Sequence, residues 1–128
     1  MIMVDTDVLI WNLRGHAGAA EVLDGYRGFL VSAVSYMELL QGMRNGQELQ
    51  ALRKALQFWE ARVLQINESV SARATYLVEE HALAHGMQMA DALIAAAAME
   101  VGATLLTAND RHYRPVAGLV LSVFRAEP

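Results

Sequence analysis

The sequence predicts an α/β fold: a central, mostly parallel sheet of about five strands flanked by helices, with an acidic site at the carboxyl ends of the strands. Two observations carry this expectation. Short apolar runs alternate along the chain with stretches of helical periodicity. Strands separated in this way by helices pair in parallel, in a sheet covered on both faces. Only two prolines occur, both within the last fourteen residues, so none interrupts the earlier helices.

Each element follows in order. Residues 1–5 (MIMVD) are a short apolar, strand-like run closed by Asp5. A helix is expected over 8–14, with Asp5 or Thr6 suited to cap it. A second helix is expected over 19–26 and a second strand over 28–33. The third helix, 36–44, starts at Ser35 and Glu38, whose S-x-x-E spacing is the pattern of a capping box. Met37, Leu39 and Leu40 imply that this helix is buried over much of its surface. Within 47–61, Leu49, Leu52, Leu56 and Trp59 recur at three- and four-residue steps, which marks one buried helical face. A third strand at 62–66 precedes helices over 69–85 and 89–101. The small residues of the last helix let it approach the sheet closely. Strands at 103–107 and 119–123 complete the pattern. No repeat, linker or low-complexity segment is present.

Composition bounds the function. Hydrophobic residues are 55% and charged residues 19% of 128, which suits one globular domain over 1–128 with a real core. No cysteine is present, excluding a disulfide scaffold, a thiolate metal site and a cysteine nucleophile, and fitting a cytoplasmic protein. No basic region precedes the apolar start, which Asp5 interrupts, so no signal peptide is expected. The longest apolar run, 89–99, contains Asp91 and falls short of the roughly 20 residues needed to span a bilayer. A soluble protein without membrane association is expected. Net charge is −4, and nine of the ten bases are Arg, Lys54 being the only lysine. Arg suits bidentate contact with phosphate or carboxylate, although an acidic chain is an unusual nucleic-acid binder.

In open α/β sheets the active site lies beyond the carboxyl ends of the strands. Asp5 ends the first strand there, and with Asp7 it is flanked on both sides by core-type residues. Glu38 falls soon after the second strand. Asp91 is the only charged residue between His85 and Glu100 and shares a helical face with Ile94, Ala95 and Ala98. A buried, unpaired carboxylate costs several kcal/mol, so it usually has a cation, a metal or a raised pKa. Thr107, Asn109 and Asp110 follow the fourth strand. Each position has a structural explanation of its own: a cap at Asp5, a capping box at Glu38, a dipole-stabilised acid at Asp91, a turn at Asn109 and Asp110. Together, however, three acids and a polar turn map to one edge of one sheet. Converging carboxylates repel unless they hold a hard divalent cation such as Mg²⁺ or Mn²⁺. Removing Asp5, Glu38, Asp91 and Asp110 from the fourteen acids leaves ten, which balances the ten bases.

The segments MVDTDVLIW, VSYMELLQG, MADALIAAAA and LLTANDRHYRPVAGL stand here in the order and spacing of PIN-domain ribonucleases. Over essentially its whole length the chain resembles the VapC toxins of toxin–antitoxin pairs. The resemblance implies a PIN-like fold and Mg²⁺ or Mn²⁺ held by Asp5, Glu38 and Asp91. Asn109 falls on the fourth site position, with adjacent Asp110 as a substitute and Thr107 as a hydrogen-bonding neighbour. Asp7 would support the backbone turn rather than the metal. The implied reaction is metal-dependent hydrolysis of an RNA phosphodiester, in tRNA or rRNA. The implied partners are a cognate VapB-like antitoxin and a second copy in a homodimer. Arg111 and Arg114 are candidates to grip the RNA backbone, and Tyr113 to offer a stacking face. Exposed apolar residues on the first helix, or around Met43 and Trp59, are candidates to receive the antitoxin.

Other readings stay open at this point. Asp5-Thr6-Asp7 fits the D-x-D start of haloacid-dehalogenase-like phosphatases, but Lys54 lies mid-helix and no late acidic pair follows a strand. A receiver-like phospho-acceptor lacks a lysine after the last strands. His81 and His85 have zinc-compatible i, i+4 spacing without an evident third ligand. A non-catalytic metal- or RNA-binding module would suit the uncharged Asn109.

Overall fold

In the computed structural model, which describes residues 1–126, a five-stranded parallel sheet is assembled from β1 (Ile2–Val4), β2 (Leu30–Ser32), β3 (Arg62–Leu64), β4 (Thr104–Thr107) and β5 (Leu121–Val123). Residues 127 and 128, part of the expected domain, lie outside the described residues. The strand order is β3-β2-β1-β4-β5, and every neighbouring pair is parallel. Met3 is in register with Leu30 on one side and Leu105 on the other. The order reverses between β1 and β4, where connections leave in opposite directions and open a crevice at the carboxyl ends. Asp5 and Thr107 stand at that crevice.

Helices α1 (Thr6–Leu13), α2 (Ala17–Gly25), α3 (Ala33–Gln41), α4 (Gly46–Phe58), α5 (Glu68–His85), α6 (Met89–Glu100) and the short α7 (Asp110–Tyr113) cover the sheet. Strand residues alternate between two cores, as the two-residue period requires. Met3, Leu30 and Leu105 face α5 and α6, where Val70, Leu77, Ala92, Ile94 and Ala95 are buried. Val4, Val31 and Leu106 face α1, α2 and α4, where Val8, Leu23, Leu52, Leu56 and Trp59 are buried. The heptad-like spacing of α4 thus does bury Leu52, Leu56 and Trp59 on one side, with Leu49 partly covered. Ala92 and Ala95 to Ala98 are all buried, since methyl side chains let α6 lie close to its neighbours.

The strands are shorter than expected, and β1 and β2 end early because the chain turns into helix sooner. Asp5 and Ser32 leave their strands to cap α1 and α3, each with extended backbone. The cap of α3 corrects the capping-box expectation. Ser32 Oγ accepts from the Val34 N–H at 3.1 Å, while Ser35 lies inside the helix, its hydroxyl buried without a partner. Ser35 and Glu38 are therefore one turn apart in a helix already begun. Nor is α3 buried over most of its surface: Val34, Ser35 and Leu39 are inside, and Met37 and Glu38 are exposed. Gly86, at φ +64°, ends α5 in the left-handed conformation glycine tolerates, its N–H returning to Ala82 O, and turns the chain into α6. Among the described residues no helix is long and apolar enough to cross a membrane.

Candidate active site

Asp5 begins as a cap and becomes part of a charge cluster. Its Oδ1 accepts from the Thr6 N–H at 2.8 Å, which is the ordinary work of an acidic N-cap. Its own N–H donates to Leu106 O at 2.9 Å, binding it to the end of β4. Its Oδ2 accepts from the Thr107 hydroxyl at 2.8 Å. The residue is only 5% exposed. Burial, and then the charge of Asp7, push its pKa from the ordinary range up to about 7, against the lowering effect of the Thr107, Thr6 and Tyr113 contacts.

Asp7 sits one residue into α1 and reaches the same turn. Its Oδ2 accepts from the Ala108 N–H at 3.1 Å and, more weakly, from Thr107 at 3.4 Å. It thereby supports the backbone turn after β4. Burial raises its pKa, with a further upward contribution from Asp91. Its Oδ1 is buried and has no hydrogen-bond partner.

Asp91 lies in the first turn of α6, where free backbone amides favour a carboxylate. Only three residues, 101–103, join α6 to β4, so α6 begins near the end where β4 finishes. The Asp91 side chain is 22% exposed, and its Oδ2 is 3.2 Å from His112 Nδ1. Its Oδ1 accepts from the Tyr113 hydroxyl at 3.4 Å. Tyr113 is 1% exposed, and burial together with Asp5 and Asp91 raises its pKa, so it stays a neutral donor. A ring buried in this way cannot stack on a base, which corrects the stacking expectation. The aromatic position of the fourth segment serves the acids from inside.

Glu38 comes to the rim by a tether. Its Oε1 accepts from the Thr6 hydroxyl at 2.7 Å, so the residue between the two aspartates holds the acid from α3. The sequence offers Thr6 only as a cap, and nothing in its spacing to Glu38 signals this second role. Asn109 is exposed at the turn; its N–H donates to Thr107 Oγ1 at 2.9 Å, and its side chain does not cap α7.

Asp110 is placed differently from the other acids. It is 4% exposed and ion-paired with Arg114 and with Arg125, the latter at 3.0 Å. The contact with Arg125 is the main cause of its lowered pKa. Its charge is balanced within the fold, so the charge sum that grouped it with Asp5, Glu38 and Asp91 needs Asp7 in its place. Arg111 is exposed; Arg114 is exposed as well but engaged with Asp110. Trp59 is 5% exposed and donates from its indole to Asp24, so it offers no docking surface. Met43 instead lines a groove of about 490 Å³ between α1, α3 and α4, together with Ile10, Leu13, Arg14 and Glu38.

The carboxylates at the crevice, Asp5, Asp7, Asp91 and Glu38, offer oxygen donors, which suit a hard divalent cation. The orphaned Asp7 Oδ1 and the raised pKa of Asp5 are what a pocket with excess negative charge shows. Among the described residues no three His, Asp or Glu side chains converge tightly enough to enclose an ion. Mg²⁺ needs no such enclosure, because it keeps several waters and uses one or two carboxylates. The residues therefore fit the group.

The family profile described as PIN domain matches residues 2–119. The chain belongs to the PIN-domain family. It is 34% identical over 117 residues to Ribonuclease VapC10 of Mycobacterium tuberculosis, covering 88% of this chain and 86% of that one. Ribonuclease VapC19 of the same organism is 34% identical over 119 residues, covering 88% and 92%. The fold of this chain matches VapBC2 from Rickettsia felis, a structure bound to a promoter DNA fragment, with a TM-score of 0.81, 21% identity, and 98% and 100% of the two chains covered. The parallel five-stranded sheet and the flanking helices are thus those of the family the four segments resemble.

Proposed function

We propose that this PIN-domain protein is a metal-dependent endoribonuclease toxin that hydrolyses RNA phosphodiesters, with tRNA or rRNA as substrate. The observation that carries the reading is the cluster of Asp5, Asp7 and Asp91 at the reversal point of the sheet, with one buried oxygen left without a partner. The 34% identity to Mycobacterium tuberculosis ribonucleases supports the reaction class.

In this reading Asp5, Glu38 and Asp91 hold Mg²⁺ or Mn²⁺, and Asn109 completes the pocket mouth as a neutral oxygen donor. The chemistry such an ion supplies is Lewis-acid activation of water and offset of charge on the phosphate in the transition state. The chain's own residues fix the geometry. Thr107 and the Thr6 amide orient the Asp5 carboxylate, Thr6 Oγ1 orients Glu38, and Tyr113 and His112 orient Asp91. Water forms the new bond to phosphorus as the ester bond breaks, so no protein nucleophile is needed. Arg111, with Arg114 beside it, grips the RNA backbone; replacing both should weaken RNA binding, and unchanged affinity at moderate salt would remove this role.

The partner in this reading is a VapB-like antitoxin. The structural relatives include a toxin–antitoxin complex from Klebsiella pneumoniae and VapBC-1 from nontypeable Haemophilus influenzae. Glu38 lines the same groove as Ile10, Leu13, Arg14 and Met43, so a segment lying in it can reach the acidic pocket. The acidic pocket beside the groove favours a basic residue on that segment. A homodimer and a cytoplasmic location complete the proposal.

The test is incubation of partner-free protein with total tRNA and rRNA, with Mg²⁺ or Mn²⁺ and with chelator, beside Asp91→Asn. Discrete cleavage that needs metal and is lost in the variant is expected. Metal-independent cleavage, or an active variant, would overturn the proposal. Metal binding without cleavage of any of these RNAs would favour a binding module.

A further inference from the structure

We propose that Arg125 is a positioning residue for the acidic pocket, latching the end of β5 onto both the turn and the short helix that line it. The inference rests on the reading above that the pocket holds a divalent cation. Arg125 Nη1 donates to Ala108 O at 3.3 Å, and Nη2 donates to Asp110 Oδ1 at 3.0 Å. Each acceptor has a second connection into the site. The Ala108 N–H donates to Asp7 Oδ2. Asp110 is the first residue of α7, whose His112 and Tyr113 reach Asp91. One guanidinium thus fixes the carbonyl of Ala108, the residue whose own N–H holds Asp7, and the helix that holds Asp91.

The base of the latch is itself secured. Phe124 is buried, its N–H donates to Thr107 O at 2.8 Å, and its ring meets His16 edge-on at 5.7 Å. Two divergent acceptors call for the rigid fork of Arg, which a lysine cannot reproduce. Arg114 provides the contrast. It pairs with the same Asp110, but among the described residues its side chain has no bond to the turn. If Arg125 only neutralised Asp110, Arg114 would be its equal. Arg125 also lies beyond residue 119, outside the segment that the family profile matches.

The experiment compares Arg125→Gln, Arg125→Lys and Arg114→Gln in the full chain. It reads amide hydrogen exchange at Ala108 in metal-free protein and Mn²⁺ affinity by calorimetry. Arg125→Gln should speed Ala108 exchange and weaken Mn²⁺ binding, each by about tenfold, the scale of losing an outer support of a metal ligand. Arg125→Lys should fall between, and Arg114→Gln should leave both readouts within about twofold of the parent. Unchanged exchange in Arg125→Gln would overturn the latch, as would equal losses in Arg114→Gln. If the parent protein binds no Mn²⁺, the cation reading of the pocket falls, and exchange at Ala108 alone decides the latch.

Discussion

Thr107 donates its hydroxyl to Asp5 Oδ2 at 2.8 Å, joining the ends of two adjacent parallel strands across 102 residues of sequence. Both residues are buried, so the bond is not shared with water. Thr107→Val keeps the side-chain shape and removes the donor. It should destabilise the protein at pH 7 by about 1–3 kcal/mol, the cost of leaving a buried acceptor short of a partner. Thr107→Ser should retain most of the stability. Urea unfolding of the three proteins checks this, and a valine variant as stable as the parent would refute it.

The raised pKa of Asp5 sets a pH dependence for the metal-free protein. An unfolded Asp loses its proton near pH 4, whereas folded Asp5 keeps it up to about pH 7. Between those values the native state binds more protons than the unfolded state, so the contribution to stability falls as pH rises from about 4 to about 7, then levels. Asp5→Asn, which can still cap α1, should flatten this slope. Thermal melts across that range in chelator decide it; an equal slope in both proteins would contradict the buried-charge origin.

Thr6 tethers Glu38 from the exposed side of the pocket. Thr6→Val should therefore leave thermal stability nearly unchanged, within about 0.5 kcal/mol for an exposed contact. It should weaken Mn²⁺ binding and cleavage by roughly tenfold, because Glu38 is no longer held toward the aspartates. Calorimetry and a cleavage time course read the two effects separately.

Tyr113 combines a core ring with a polar tip. Tyr113→Ala should cost about 3–5 kcal/mol through the cavity it leaves. Tyr113→Phe should keep the fold but free Asp91 Oδ1, lowering metal affinity with little change in melting temperature. A phenylalanine variant with parental Mn²⁺ affinity would show that the hydroxyl only satisfies its own burial.

Much of this fold was legible in the sequence because strand and helix patterns alternate cleanly. The spacing of Leu52, Leu56 and Trp59, the small residues of α6 and the polar ends of β1 and β4 each have a local signature. What stayed hidden is non-local. Ser32, not Ser35, caps α3, because the chain turns at the strand end before the S-x-x-E pattern begins. Tyr113 reads as a surface aromatic beside Arg111 and Arg114, and only the packing of α7 against α6 turns it inward. Asp110 and Asn109 are indistinguishable as turn residues. The two arginines that claim Asp110 come from positions four and fifteen residues later. Arg125 carries no periodicity or motif at all.

The most direct measurement is a calorimetric titration of Mn²⁺ into metal-free protein above pH 7, where Asp5 is ionised, beside Asp5→Asn and Asp91→Asn. If the acids are gathered to hold a cation, the parent shows a saturable binding event, and each variant weakens it by at least about tenfold. No binding in the parent, or equal affinity in all three proteins, would contradict a cation site at the ends of β1 and β4.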